Sequence, residues 1–161
     1  MEVKIELAEP SWKNITADPL RYLHLNVPAN VTFNGDYRPN ISIRLEGREA
    51  NQFCVDNNST RFSYAIDTGT REPGGPDTTI QGSRVIFVHN SYNDPSYMRQ
   101  MLASYILDDA SRAPRIAYIN LTLIISGTVL PQGLYIVEEN VGDTLFVFIF
   151  VNSCCRLMRT L

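Results

Sequence analysis

The fold of this chain is decided by residues 84–139, which read RVIFVHNSYNDPSYMRQMLASYILDDASRAPRIAYINLTLIISGTVLPQGLYIVEE. Apolar and polar residues alternate at 118–123 and again at 133–139, a period of two that is typical of strands with one buried face. The short apolar run at 84–88 predicts a third strand, and a segment with helical spacing follows it. The predicted order is therefore strand, helix, strand, turn, strand.

The helix in this stretch is predicted to begin at Asn93-Asp94-Pro95 and to run to about Asp109. Asp accepts hydrogen bonds from the free N–H groups of a first helical turn, and Pro suits the first helical position. Apolar side chains at helical spacing are expected to pack this helix on the core. They are Tyr97, Met98, Met101, Leu102, Tyr105 and Ile106.

The first half of the chain predicts further strands. Residues 3–7 alternate charged and apolar side chains, and an Asn-Gly pair at 34–35 predicts a hairpin turn, because both residues tolerate positive φ angles. Strands are expected at 41–46 and 61–67, with a polar loop at 48–60 between them. Together these elements predict an α+β fold, a largely antiparallel twisted sheet with one main helix in a single domain.

The composition is that of an ordinary globular domain. The 161 residues are 44% hydrophobic and 19% charged, with a net charge of −3 and a pI near 5.3. An acidic chain lacks the basic face of a nucleic-acid binder, so nucleic acid is not an expected partner. The apolar run at 145–151 is too short for a membrane span, which needs about twenty residues.

The sequence offers no motif for a metal site or for a nucleophilic hydrolase. Cys54, Cys154 and Cys155 show no metal-ligand spacing, and the two histidines stand far apart. The Gly-x-Ser-x-Gly elbow that would place a nucleophilic serine is also missing. No catalytic residue and no metal ligand is therefore predicted from these motifs.

The Asn-x-Ser/Thr pattern for N-glycosylation occurs more often than the composition predicts by chance. The excess favours a secreted or cell-surface protein, although Asn-rich turns would give the same pattern. The first residues lack the apolar core of a signal peptide, so the chain is either cytosolic or begins after a removed leader. The glycosylation candidates are Asn14, Asn30, Asn40, Asn57, Asn58 and Asn120.

Four segments, in their order and spacing along the chain, indicate a known family. They are IRLEG at 43–47, RFSY at 61–64, NDPSYMR at 93–99 and GLYIVEE at 133–139. In this order they resemble the CotH family, the spore-coat kinase-like domain that is also found on the surface of some fungi. The resemblance begins near residue 3 and ends near residue 146, which leaves 147–161 as a divergent apolar tail.

The resemblance implies an atypical protein kinase that uses ATP and Mg²⁺ to phosphorylate Ser in secreted or coat proteins. On this mapping residues 1–146 are the nucleotide lobe, similar to the N-lobe of a kinase. Arg61, in place of the family's Lys, would face the phosphates, whereas Val137, Glu138 and Glu139 would lie beside the adenine. The family's metal-binding and catalytic acids lie downstream of the Glu138 strand, so this chain is expected to be a truncated, inactive portion.

The resemblance also implies an alternative from another functional class. Some fungal relatives are described as invasins, so the domain could be a non-catalytic adhesin at the cell surface. The expected partner is then a host-cell receptor, whereas the kinase hypothesis predicts a protein substrate. Both hypotheses place the protein outside the cell or on its surface.

Overall fold

The computed structural model of the chain describes residues 1–69, 79–80, 83–108 and 114–140. Within this part the chain forms seven strands, three α-helices and one 3₁₀ helix at Pro19–Leu23. In chain order the labelled elements are β1 (Glu2–Leu7), α1 (Glu9–Ala17), β2 (Val27–Phe33), β3 (Asp36–Leu45), α2 (Arg48–Asp56), β4 (Tyr64–Asp67), β5 (Val85–His89), α3 (Arg99–Asp108), β6 (Ile116–Ile125) and β7 (Thr128–Glu139).

The strands form a closed barrel in the order β1-β2-β3-β4-β5-β7-β6. Neighbouring strands are antiparallel except where β1 pairs with β6, from Glu2↔Asn120 to Leu7↔Ile125, and this parallel pairing closes the barrel. The prediction of an open twisted sheet with one main helix, like a kinase N-lobe, is therefore wrong. The closing pair joins strands more than a hundred residues apart in sequence, and local alternation carries no sign of such a pairing.

The core lies inside the barrel. Side chains alternate between the two faces of a strand, and one side of each strand supplies the interior. Val3, Ile43 and Leu123 are fully buried there, together with Tyr64 and Tyr135. Helices contribute to this core as well, since Ile15 of α1 and Cys54 of α2 belong to the same buried cluster.

Two local predictions from the first half have opposite outcomes. The hairpin is confirmed, since β2 ends at Phe33, β3 begins at Asp36, and Asn34 and Gly35 have φ angles of 50° and 89°. The loop predicted at 48–60 is wrong, because Arg48–Asp56 form α2. Polar residues cover most of this helix and hide its narrow buried face of Ala50, Asn51 and Cys54.

The predicted strand at 61–67 and the predicted helix at 93–109 both begin later than expected. β4 starts at Tyr64, and α3 starts at Arg99. Asp94 still acts as a cap, because its Oδ2 accepts the Arg99 N–H at 2.8 Å. Pro95 does not open the helix, since Tyr97 has a φ of 57° and separates the Asp94 turn from α3.

The expected core-packing face of α3 is solvent-exposed, so that prediction is wrong. The exposed fractions of its four outermost apolar side chains range from 50% to 81%. A helical spacing predicts one apolar face but not what covers it, and the closed barrel already buries its own core. The exposed side chains are Met98, Leu102, Tyr105 and Ile106.

Several predictions fall outside the described residues. They are the end of the helix at Asp109, most of the loop that leads to β5, the apolar run at 145–151 and the tail at 147–161. Among the helices that the structure describes, none has the length and apolar character needed to span a bilayer.

Candidate functional site

A cleft of about 520 Å³ lies outside the barrel, between α2 and the segment that leads into α3. Its lining is rich in polar and charged side chains, and it draws on α2, β5 and α3. The lining residues are Gly47, Arg48, Glu49, Ala50, Ser63, His89, Asn90, Ser91, Tyr92, Asn93, Asp94, Arg99 and Gln100.

The N-terminus of α2 forms one wall of this cleft. Gly47 precedes the helix with a φ of 78°, a conformation that suits glycine, and no side chain caps the first turn. The free N–H groups and the positive end of the helix dipole favour an anion at this position. Arg48 adds a side-chain charge for which the described residues provide no ion-pair partner.

The opposite wall carries a second arginine. Arg99, at the start of α3, is 74% exposed, and its Nη1 donates to the Asn93 carbonyl at 3.3 Å. Its Nε lies 4.0 Å from Asp94 Oδ1, which is the outer limit of an ion pair. Most of its donors therefore face solvent, so two arginines approach the cleft from opposite walls.

Asp94 sits almost fully buried in this second wall. Its Oδ1 accepts the Ser96 hydroxyl at 2.6 Å and its Oδ2 accepts the Arg99 N–H. These hydrogen bonds, that of Ser96 first, hold the pKa of Asp94 below its usual range. Both carboxylate oxygens of Asp94 therefore hold the turn before α3.

Buried amides fix both walls to the barrel. Asn51 is fully buried; its Nδ2 donates to the carbonyls of Glu46 (2.9 Å) and Gly47 (3.0 Å), and its Oδ1 accepts the Ser63 N–H at 3.2 Å. Asn90 is also buried, and its backbone N–H donates to Ser63 Oγ at 3.0 Å. Ser63 therefore links the α2 wall to the segment that follows β5.

A second contact of Asn90 joins this network to the start of β4. Its Nδ2 donates to the Arg61 carbonyl at 2.6 Å, and the same carbonyl accepts the Cys54 thiol at 3.2 Å. Burial raises the pKa of Cys54, so the thiol keeps the proton that it donates. The floor of the cleft is accordingly held by α2 and β4 together.

A family model described as CotH kinase protein matches residues 43–147, which include every residue that lines the cleft. The chain belongs to the CotH kinase family. The family suggested by the order of the sequence motifs is therefore confirmed. No curated protein matches the chain.

The CotH residues predicted to bind nucleotide lie in different surroundings. Arg61 points to the inner side of the barrel end, where its Nη2 donates to Tyr97 Oη at 3.0 Å and to the Leu134 carbonyl at 2.9 Å. Its guanidinium also lies over the Tyr135 ring, 5.3 Å from the centroid. Val137 alternates with Tyr135 on this inner side and is buried in the core.

Glu138 points to the outer face of the barrel, the side on which the cleft lies. Its Oε2 accepts the Gln100 amide at 3.4 Å and lies 3.2 Å from His89 Nε2, within ion-pair distance but without hydrogen-bond geometry. The structure thus brings Glu138 next to the cleft and does not bring it together with Arg61. The Glu139 side chain forms an ion pair with Arg115.

The backbone of β7 is already paired at the predicted adenine-binding positions. Val137 pairs with Val88 on one side and Ala117 on the other, and Glu138 pairs with Phe87 and Ile116. Because β7 lies between two strands, the ladders use the backbone N–H and C=O groups of these residues. A nucleotide contact at Glu138 would therefore have to involve its side chain.

The donor set of the cleft suits phosphates better than a metal ion. Arg48, Arg99 and the first turn of α2 offer cationic and N–H groups, as nucleotide phosphates require. Within the described ranges no group of three or more His, Cys, Asp or Glu is placed to hold a metal ion. The described residues thus offer donors for the phosphate part of ATP.

The glycosylation candidates differ in accessibility. Five of the six asparagines are exposed, whereas Asn30 is half-buried in β2. The Asn30 Nδ2 donates to Glu6 Oε2 at 3.1 Å, and its Oδ1 accepts the Asn40 N–H at 3.1 Å. A glycan on Asn30 would have to disrupt these two bonds.

The sequence analysis missed the residues that build the cleft. Arg48 and Asn51 fell inside the segment interpreted as a loop, and Arg99 was hidden inside a helix that was predicted to start earlier. The helical spacing of Ala50 and Cys54 was a usable sign of α2. Nothing in the local pattern placed Arg48 and Arg99 across one cleft, because that depends on barrel closure.

Proposed function

We propose that this CotH-family chain binds ATP in the cleft between α2 and α3, as part of an ATP-dependent system that phosphorylates Ser in secreted or coat proteins. The observation that carries the proposal is the pair of arginines, Arg48 and Arg99, which line the cleft together with the uncapped N-terminus of α2. Phosphoryl transfer requires fixed cations and N–H groups at the phosphates. The family match includes all of them.

Each group would contribute in a distinct way. The α2 N–H groups would hold phosphate oxygens in a fixed direction, since Asn51 anchors that end of the helix to β4. Arg48 and Arg99 would neutralise phosphate charge through side chains that reach from opposite walls. Glu138 would position His89 and Gln100 along the cleft, because it contacts both from the barrel wall.

ATP would supply the phosphoryl group and Mg²⁺ would offset its charge. We propose that this chain binds nucleotide but transfers no phosphate by itself, because the described residues include no group of three or more carboxylates, histidines or cysteines placed to hold the metal ion. Incubation with γ-labelled ATP, Mg²⁺ and a Ser-rich peptide should leave the peptide unlabelled. Labelling by the purified chain, at a level above a heat-denatured sample, would overturn this part of the proposal.

The binding part of the proposal is tested by calorimetric titration with ATP. Replacing both Arg48 and Arg99 by Ala should weaken binding at least about tenfold, because each charge-assisted hydrogen bond contributes roughly 1.5–3 kcal/mol. Arg38→Ala is the matched control, since it removes one positive charge at the β2–β3 hairpin, where Arg38 pairs with Asp36. Wild-type affinity in the double variant would refute the cleft as the ATP site.

The predicted role of Arg61 can be tested in the same titration. The Arg61 Nη2 donates to Tyr97 and Leu134 and the guanidinium is stacked on Tyr135, whereas its buried Nε has no hydrogen-bond partner among the described residues. If Arg61 faces the phosphates in the bound state, Arg61→Lys should retain more affinity than Arg61→Met. Equal affinities for the two variants would assign Arg61 to structure alone.

A second candidate function is a non-catalytic adhesin that is secreted or displayed at the cell surface and binds a host-cell receptor. The observation that favours it is the exposed apolar face of α3, together with five exposed glycosylation candidates. Cell binding by the purified chain should then fall when Tyr105 and Ile106 are both changed to Ser. Val129→Ser, at another exposed apolar position, is the control. Equal cell binding by all three proteins would remove this candidate.

A further inference from the structure

One side of the cleft is aromatic. The Tyr92 and Phe53 rings lie with their centroids 5.3 Å apart and their planes inclined at 41°. Tyr92 lines the cleft, and Phe53, which contacts the Tyr92 ring without lining the cleft itself, is 44% exposed. A half-exposed pair of rings beside a cationic cleft is the kind of surface on which a nucleobase stacks.

Tyr92 is held in place at both ends. Its hydroxyl donates to Glu49 Oε2 at 3.1 Å, and its backbone N–H donates to Asn90 Oδ1 at 3.2 Å. Burial, and then the Glu49 carboxylate, raise the pKa of Tyr92, so the phenol remains a donor at neutral pH. The ring is thus a fixed wall, so a ligand that binds against it loses no free energy in ordering the Tyr92 side chain.

The lining of the cleft carries both signs of charge. Arg48 and Arg99 attract phosphate, whereas the Glu49 carboxylate, which accepts the Tyr92 hydroxyl, repels it. A neutral, flat group with hydrogen-bond donors suits the Glu49 and Tyr92 side better than a second anion does. A nucleoside triphosphate has one neutral aromatic end and one anionic end, which matches this lining.

We infer that Tyr92, backed by Phe53, is the base-stacking wall of the cleft, and that the cleft selects a nucleotide over an inorganic polyphosphate. This inference rests on the proposed function, since it names the part of the ligand that the arginines do not contact. It adds a specificity-determining residue, Tyr92, that lies in the segment between β5 and α3. Phosphate binding by the arginines does not require it.

The test compares ATP with inorganic tripolyphosphate by calorimetric titration of four proteins. Wild type should bind ATP more tightly than tripolyphosphate. Tyr92→Leu should weaken ATP binding by about 5- to 100-fold, the loss expected for one base–aromatic stack, and should leave tripolyphosphate binding unchanged. Tyr92→Phe keeps the ring and should retain most of the ATP affinity. Tyr37→Leu, at an exposed tyrosine of β3, is the matched control and should behave as wild type.

The possible results separate the inference from the proposed function. Equal binding of ATP and tripolyphosphate by wild type, or an equal loss of both in Tyr92→Leu, overturns the base-stacking wall and leaves phosphate binding in place. Binding of neither ligand by wild type overturns the proposed function itself. If Tyr92→Leu fails to fold, the wild-type comparison of the two ligands and the Tyr92→Phe titration still decide the question.

Discussion

Replacing Asn51 by Ala should destabilise this domain more than any exposed substitution on α2, because Asn51 is the buried amide that joins α2 to β4. Its side chain is fully buried and makes three hydrogen bonds, to the carbonyls of Glu46 and Gly47 and from the Ser63 N–H. The Gly47 carbonyl keeps the Asn51 backbone N–H at 3.1 Å after the change. The Ser63 N–H and the Glu46 carbonyl lose a partner in a buried setting.

The magnitude follows from these two stranded groups. A buried polar group left without its partner costs about 1–3 kcal/mol, and the partly buried Glu46 carbonyl belongs at the lower end of that range, so the free energy of unfolding should fall by roughly 2–4 kcal/mol. For a domain of this size that loss corresponds to a decrease in Tm of about 5–15 °C. It is a large part of a total stability that is typically about 5–15 kcal/mol.

The assay is urea unfolding followed by circular dichroism, with thermal unfolding as a second measurement. Asn57→Ala is the matched control, since the exposed Asn57 makes one side-chain bond, to the Phe53 carbonyl, which also accepts the Asn57 N–H. This control should cost about 0.5 kcal/mol or less. An Asn51→Ala loss no greater than that of Asn57→Ala would refute the view that a buried amide holds α2 on the barrel.

Three further outcomes are expected. Burial raises the pKa of Tyr135, so its neutral phenol stabilises the fold below about pH 10, and this stability is lost as the pH rises through the raised pKa. In urea unfolding from pH 9 to 11, Tyr135→Phe should reduce the fall of the unfolding free energy with pH by up to about 1.4 kcal/mol per pH unit. An unchanged pH dependence would contradict this. Leu102→Ser on exposed α3 should lower the free energy of unfolding by under about 1 kcal/mol, whereas Leu123→Ala inside the barrel should lower it by about 2–5 kcal/mol. Similar losses would mean that the Leu102 face of α3 is buried against another part of the protein. After expression through a eukaryotic secretory pathway, mass spectrometry of the folded protein should find glycan at exposed Asn58 and none at Asn30, whose amide is bonded on both sides. Glycan at Asn30 in the folded protein would contradict this.

The sequence predicted those elements whose cause is local. The hairpin turn at Asn34-Gly35 was confirmed because positive φ angles are a property of the two residues themselves. The alternation at 3–7 gave β1 for the same reason, since a half-buried strand repeats every two residues. The strand that pairs with β1 could not be predicted from the sequence, because parallel pairing with β6 depends on the folded arrangement of the whole chain.

The errors on the helices share one physical cause. Helical spacing on α3 was interpreted as a core-packing face, yet Leu102 and Ile106 are exposed. On α2 the buried positions include Asn51, whose amide is satisfied inside the protein, so polarity concealed a buried face. In both cases burial was inferred from the character of the side chain alone, whereas burial is set by what packs against it.

The same limit applies to the candidate site. The motif order identified the CotH family correctly, and it drew attention to Glu138, which does lie next to the cleft through His89 and Gln100. The charge at Arg61 was also noticed, but the structure directs it to Tyr97 and the Leu134 carbonyl. Only the closed barrel shows that Glu138 lies on the outer face of β7, whereas Arg61 lies at the inner side of the barrel end.

The two walls of the cleft are attached to the barrel by different means. The α2 wall is held by Asn51, whose amide is fully buried and makes three hydrogen bonds. The α3 helix is held by partly buried bonds, Gln100 with Glu138 and Ser104 with the Pro114 carbonyl, and it leaves the Leu102, Tyr105 and Ile106 side chains exposed. A ligand that contacts Arg48 and Arg99 together would join the firmly held wall to the weakly held one. Binding energy would then go into fixing α3, because α2 is already fixed before the ligand arrives.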